Sequence, residues 1–167
     1  MRDKLAQLIC YAETLRALTH HAAERAKVVG GVAIPDTLLV NIAKLQFATG
    51  LHSAFQFVQD IAGGLLVTYP SHEDLDHPQY GAALERYLES AGGIPGRDRL
   101  QVMNMISDLT SGEFGGYQAV LAIHAEGSIE AEKLTILAQY DRARSLEYAR
   151  WLTGLESQEW PPVPVYQ

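Results

Sequence analysis

Apolar and small residues recur along most of this chain at helical spacing. Between about Asp3 and Val29 two sets repeat every seventh position: Leu5, Ala12, Thr19 and Ala26, and Leu8, Leu15, Ala22 and Val29. Together they predict one stripe along a long helix of the kind that packs in bundles. Gly30-Gly31 is expected to stop it, because paired glycines are poor helix formers and let the chain reverse. A second helix is expected to start after Pro35 with Asp36 as N-cap, and to run to about Ile61. Its face carries Leu38, Ile42, Leu45, Thr49, His52, Phe55 and Val58, and Gly63-Gly64 ends it.

The next stretch, Leu65 to Tyr69, is the one with strand character, and Pro70 halts it. Ser71 to Gln79 is polar and is expected to be a loop. Helical spacing returns from about Tyr80 to Ser90 and, after a turn at Gly92 to Gly96, from near Arg97 through Leu100, Met103, Ile106 and Leu109. Thr110 to Gly116 interrupts the pattern, which resumes from Tyr117 to Ala125. Gly127 breaks it again, and Ser128 is placed to cap a last helix from about Ile129 to Thr153, with Leu134, Leu137, Tyr140, Arg144, Tyr148 and Leu152 on its face. Long antiparallel helices joined by short glycine turns make an all-α bundle. The expected organisation is a helix bundle over residues 1–156 and an extended proline-rich tail over residues 157–167, where Pro161, Pro162 and Pro164 exclude a helix.

Composition narrows the partners more than the fold. Of the 167 residues 47% are hydrophobic and 20% charged, as expected of a chain that folds, and the formal charge of −7 argues against nucleic acid or an anionic membrane surface as the main partner. No apolar run approaches the roughly 20 residues that span a bilayer, and the charged N-terminal segment has no secretory apolar core. The expected compartment is therefore the cytoplasm. Cys10 is the single cysteine, which excludes an internal disulfide, and its place beside Ile9 in a helical pattern is that of a small core residue.

No standard catalytic set stands out, so catalytic residues are not assigned from pattern, and no metal site is expected. His20 and His21 are adjacent on a helix and point about 100° apart, unlike an i, i+4 metal pair. His72, Asp74, Asp76 and His77 read as a solvated loop, His124 as a structural residue, and Glu130 and Glu132 as carboxylates favoured by the positive end of a helix. Two segments invite a functional reading. Asp60 to Ser71 sets a double glycine between a long helix and an apolar run, which lets a backbone come close to a ligand. Thr110 to Tyr117 is a small-residue break before a helix N-terminus, suited to an anion.

At these segments the chain resembles the family of 4-hydroxyphenylacetate 3-monooxygenases and 4-hydroxybutyryl-CoA dehydratases. The resemblance is carried by DIAGGLLVTYPSHED from Asp60 to Asp74, LTSGEFGGYQAV from Leu109 to Val120, and GSIEAEKLTI from Gly127 to Ile136, the last closest to the dehydratase branch. Three motifs in order make the match specific, and it extends in register from about Lys4 to Gly154.

The resemblance implies the C-terminal bundle of an acyl-CoA dehydrogenase-like flavoenzyme. In such a fold FAD lies against the bundle, and neighbouring bundles pack into dimers and tetramers. By that analogy Gly63 and Gly64 approach the adenosine diphosphate part of FAD, and Ser111, Gly112, Glu113 and Phe114 form a second cofactor contact. The family's N-terminal helical domain and β-domain have no counterpart in this sequence. FAD binding is therefore expected only at a site shared with a partner chain supplying those domains, besides homo-oligomerisation. The dehydratases carry a catalytic carboxylate shortly after the tyrosine matched by Tyr117, where this chain has Val120, so their reaction is not carried over. The alternative is a free-standing helical protein that binds a small apolar ligand, with a cavity lined by residues such as His52, Phe55, Tyr117 and His124, or a flavin-independent enzyme derived from that domain.

Overall fold

The computed structural model describes residues 1–155. The proline-rich tail expected over residues 157–167 lies outside them. Helix α1, Arg2–Glu24, runs antiparallel to α2, Thr37–Ala62. The pair is tied at both ends: the Lys4 ammonium meets Asp60 at 2.6 Å, and the Asp36 amide donates to the Ala22 carbonyl at 3.0 Å. Along α1 the residues turned inward are Lys4, Leu8, Tyr11, Leu15, Leu18 and Ala22, alternating by four and three. Only one of the two expected sevenfold sets lies on this face. Leu5, Ala12 and Thr19 face solvent, because a helix buries a single stripe against a single neighbour.

The first helix also stops five residues short of Val29. Residues Lys27–Val29 and Val32–Ile34 form β1 and β2, an antiparallel hairpin in which Val29 opposes Val32. Gly30 and Gly31 have φ of 58° and 82°, the two positive values a type I′ turn requires. With β-branched Val28, Val29, Val32 and Ile34 on either side, the extended form beats another helical turn. Asp36 closes the base of the hairpin and opens α2. One carboxylate oxygen accepts the Leu39 amide at 3.0 Å, and the other meets Arg25 at 3.1 Å.

The centre of the bundle is α2, which has α1 on one side and the later helices on the other. Most of its length is half-buried, although Thr49 and His52 of the expected face are exposed. Gly63 ends it with φ of 67°. The following apolar stretch is not a strand: Leu65–Thr68 is a short helix, α3, with Leu66 buried. An isolated strand here would leave its amides without partners, whereas a helical turn satisfies them locally. Part of the expected loop is likewise a single turn, α4, His72–Leu75, held by a capping box between Ser71 and Asp74.

Helices α5, Gly81–Leu88, and α6, Gly96–Thr110, complete this half of the fold. Leu75, Leu88 and Leu100 form a small core there, with Leu65, Tyr69 and Leu84 against it. Helix α7 spans Glu113–Glu126, starting four residues earlier than the pattern of apolar positions indicates.

The expected last helix is two. Helix α8, Ile129–Gln139, is capped by Ser128, and α9, Arg142–Leu152, starts afresh from Asp141, whose carboxylate accepts the Arg144 amide at 3.2 Å. A capping aspartate inside a helical pattern competes with the helix and here divides it. Leu134, Leu137, Tyr140, Tyr148 and Leu152, expected to face the core, are exposed, and α9 buries no residue. Cys10 is also exposed rather than buried.

Only eight apolar residues are fully buried among the described ones. The all-α bundle is thus real but open, with large apolar side chains on its later helices facing outward. No helix among the described residues is long and apolar enough to cross a membrane.

Candidate functional site where two glycine breaks meet

The two glycine segments are distant in sequence and adjacent in the fold. Gln59, one turn before Gly63, spans the gap. Its side-chain amide donates to the Thr110 carbonyl at 2.9 Å and to the Ser111 hydroxyl at 3.2 Å. The end of α2 therefore caps the last carbonyl of α6, a group with no partner inside its own helix. Sequence reasoning passed over Gln59. The available signal was a polar residue on a largely apolar helix, four places before the glycine that ends it.

The glycines differ in role. An added Cβ at Gly115 would run into the carbonyl oxygens of Asp108 and Leu109, and one at Gly112 would lie 3.0 Å from the Asp108 carbonyl oxygen. These two let α7 fold back closely on α6, so packing accounts for them. Gly63, Gly64 and Gly116 instead have no atom within 4 Å of an added Cβ. They are backbone positions with open space in front of them.

Hydrogen bonding limits what this surface can hold. The Gly63 amide donates to the Gln59 carbonyl at 2.8 Å, and the amides of Ser111 and Gly112 both donate to the Ser107 carbonyl at 2.8 Å. None of those three is left to grip a phosphate. At the start of α7 no side chain caps the helix, which leaves its first-turn amides turned outward. Glu113 stands in that same turn, exposed, and its charge opposes an anion there. Phe114, Tyr117 and Val120 follow at i, i+3 and i+6 on the exposed side of the helix. Val120 presents an isopropyl group where a carboxylate is absent. The arrangement offers close backbone approach and aromatic surface, while neither glycine segment itself, residues 60–64 or 110–117, carries a basic side chain for a diphosphate.

Neighbouring polar residues are occupied structurally. Asp74 completes the capping box with Ser71 and is hydrogen-bonded by Tyr80, and its carboxyl is held below the usual range chiefly by the Ser71 amide. The His77 ring stacks on Tyr80 with centroids 3.8 Å apart. Among the described residues no three His, Cys, Asp or Glu side chains are arranged to hold a metal ion. Tyr117 and His124, expected to line an internal cavity, are exposed. An apolar groove of about 460 Å³ does exist, but between α1 and α2, lined by Leu15, Ala22, Pro35, Val40, Phe47 and others.

Comparison with known proteins decides the family. The family model described as 4-hydroxyphenylacetate 3-hydroxylase C terminal matches residues 1–154. The chain belongs to that family. It is 24% identical over 165 residues to the 4-hydroxybutyryl-CoA dehydratase/vinylacetyl-CoA-Δ-isomerase of Clostridium aminobutyricum, covering 93% of this chain and 34% of that protein. The oxygenase component of a 4-nitrophenol 4-monooxygenase/4-nitrocatechol 2-monooxygenase from Rhodococcus opacus is 28% identical over 109 residues, 65% of this chain and 20% of that protein.

Among solved structures, an oxygen-tolerant archaeal 4-hydroxybutyryl-CoA dehydratase from N. maritimus superposes with a TM-score of 0.77 at 26% identity, covering 98% of this chain and 33% of that one. The oxygenase component of 4-hydroxyphenylacetate 3-monooxygenase, solved with FAD and 4-hydroxyphenylacetate, superposes with a TM-score of 0.79 at 24% identity, covering 92% and 32%. The fold is thus that of the C-terminal bundle in acyl-CoA dehydrogenase-like flavoenzymes. The chain spans about a sixth to a third of the length of the relatives it matches.

Proposed function

We propose that this family member acts as the C-terminal bundle of a flavin-dependent, monooxygenase-like enzyme, completing an FAD site with domains carried on another polypeptide and packing against further copies of itself. The observation that carries the reading is the junction held by Gln59. It sets the open backbone of Gly63 and Gly64 beside the uncapped start of α7 and the exposed ring of Phe114. These residues suit a partial flavin contact: Gly63 and Gly64 admit the cofactor closely, Phe114 offers a ring to stack on, and the free first-turn amides of α7 face its polar atoms. FAD supplies the redox chemistry when bound. The two glycine segments carry no basic side chain of their own, so on this reading the diphosphate draws charge from residues outside them. The exposed apolar faces of α7 and α8 support burial against neighbouring domains. We take the cytoplasm as the compartment, a reducing setting that suits a chain with one exposed thiol.

The test uses the full chain alone and mixed with a polypeptide carrying the first two domains of a relative, read by flavin fluorescence anisotropy and co-purification. Little FAD binding alone and retention of FAD by the mixture are expected. Gly64→Leu separates binding from folding. Gly64 has a helical φ of −60° and open space around it, so the larger side chain leaves stability within about 0.5 kcal/mol. It should nonetheless block the cofactor. Failure of the mixture to retain flavin, or unchanged retention in Gly64→Leu, counts against the proposal.

A further inference from the structure

The groove between α1 and α2 carries a second feature that the flavin reading does not use. Its floor is apolar, with Leu15, Ala22, Val40 and Phe47, while Lys44 and Glu126 stand at its polar edge. Behind Lys44 lies Glu132, in the first turn of α8 and only 2% exposed. Neither carboxylate oxygen of Glu132 receives a hydrogen bond, and the Lys44 ammonium is 3.6 Å from the nearer one, an ion pair without a bond. A buried carboxylate with unfilled acceptor sites is costly, so its environment is short of donors. Two carboxylates share one ammonium, leaving a net charge of −1 at the end of an apolar groove.

We propose that this groove binds an amine on an apolar stem, its ammonium held by Glu126 while Lys44 closes fully onto Glu132. The charges select this class of ligand. A carboxylate or phosphate ligand would draw Lys44 away and strand Glu132 as an unpaired buried charge, which is strongly unfavourable. A neutral ligand would fill the floor but supply no charge to Glu126. At about 460 Å³ the groove accommodates a single-ring or medium-chain amine. The groups facing Glu126 are Lys44 on α2, Glu132 on α8 and Tyr11 on α1. Burial raises the Glu126 carboxyl above its ordinary range, Lys44 lowers it and Glu132 raises it. Acid therefore discharges this ligand-holding group sooner than it would a free glutamate.

The experiment is a calorimetric and amide-NMR titration of the full chain at pH 7.5 with 2-phenylethylamine, 2-phenylethanol and 3-phenylpropanoate. Saturable binding of the amine is expected, with shifts at Ala43 to Phe47. Binding of the alcohol should be weaker by about tenfold, the worth of one charge-assisted hydrogen bond. Glu126→Gln should weaken the amine by about the same factor, bringing its affinity close to that of the alcohol. On the unaltered chain, amine affinity should fall as the pH is lowered from 7.5 and Glu126 takes up a proton, earlier than a free glutamate would. This holds the test open if Glu126→Gln fails to fold. No saturable amine binding, acid binding as well as amine, or an amine affinity indifferent to pH and to Glu126→Gln each overturns the proposal. None of these outcomes depends on flavin or on a partner chain.

Discussion

Replacing Gln59 by alanine should uncouple the two glycine segments. The side-chain amide makes two bonds, to the half-buried Thr110 carbonyl at 2.9 Å and to the exposed Ser111 hydroxyl at 3.2 Å. Water replaces the second readily, so most of the loss belongs to the first. A net hydrogen bond contributes about 1 kcal/mol, and the second adds a few tenths, giving a loss of about 1–1.5 kcal/mol. For a chain of this size that corresponds to a fall of about 3–5 °C in Tm. Gln59→Glu tests the chemistry further. Its carboxylate would point an acceptor at the Thr110 carbonyl, adding roughly another 1 kcal/mol of loss at neutral pH. Part of that loss should return in acid, as the new carboxyl takes up a proton and can donate. Urea unfolding gives the stabilities, and hydrogen exchange locates the change. The amides of Ser111 and Gly112, both bonded to the Ser107 carbonyl, should exchange faster in Gln59→Ala. Equal losses in the two variants, or unchanged exchange at Ser111 and Gly112, would refute the idea that Gln59 caps α6.

Further outcomes follow from other contacts. Gly115→Ala forces a methyl group against the Asp108 and Leu109 carbonyl oxygens, so α7 must lift off α6 at a cost of about 1–3 kcal/mol, measurable as a lower urea midpoint. Asp36→Ala removes the cap of α2 and the Arg25 contact, costing about 1 kcal/mol, whereas Asp36→Asn keeps an acceptor for the Leu39 amide and should cost only a few tenths. The Leu39 amide, then Arg25, hold the Asp36 carboxyl below its ordinary value. Its contribution is accordingly complete at neutral pH, well above the unfolded-state pKa of about 3.9, and is lost as pH falls through that value toward the lower folded one. Asp36→Asn should flatten this part of the acid-unfolding profile. Leu134→Glu and Leu137→Glu, on residues 67% and 55% exposed, should leave monomer stability within about 0.5 kcal/mol but reduce self-association in light scattering.

The helices that pack on a neighbour were legible along the chain. In α1 the Leu8, Leu15, Ala22 set lies on the packed face, and in α2 the Asp36 cap and the Gly63 stop stand where their chemistry requires. Departures came where a local competitor outweighed periodicity. Paired glycines between β-branched residues made a hairpin out of the end of the first helix, and a capping Asp141 split the last one. Leu65 to Thr68, without a partner strand, closed on itself as a helical turn.

The candidate site divides in the same way. The glycine positions could be named from the pattern, because glycine at the end of a helical run marks a backbone that must do something other side chains hinder. Which of them pack and which lie open could not. Gly115 meets the backbone of α6 while Gly64 and Gly116 meet nothing, and that is a matter of how far apart two helices settle. The junction through Gln59, and the grouping of Lys44 with Glu126 and Glu132, join residues from separate helices. By itself, the sequence determined the helical class, the cap and stop of α2 and the family, since these reside in local spacing and short motifs. Tertiary structure alone decided which apolar stripe is covered and which carboxylate is buried without a donor. Burial depends on the neighbour a residue meets, and one helix's periodicity says nothing about whether that neighbour is there.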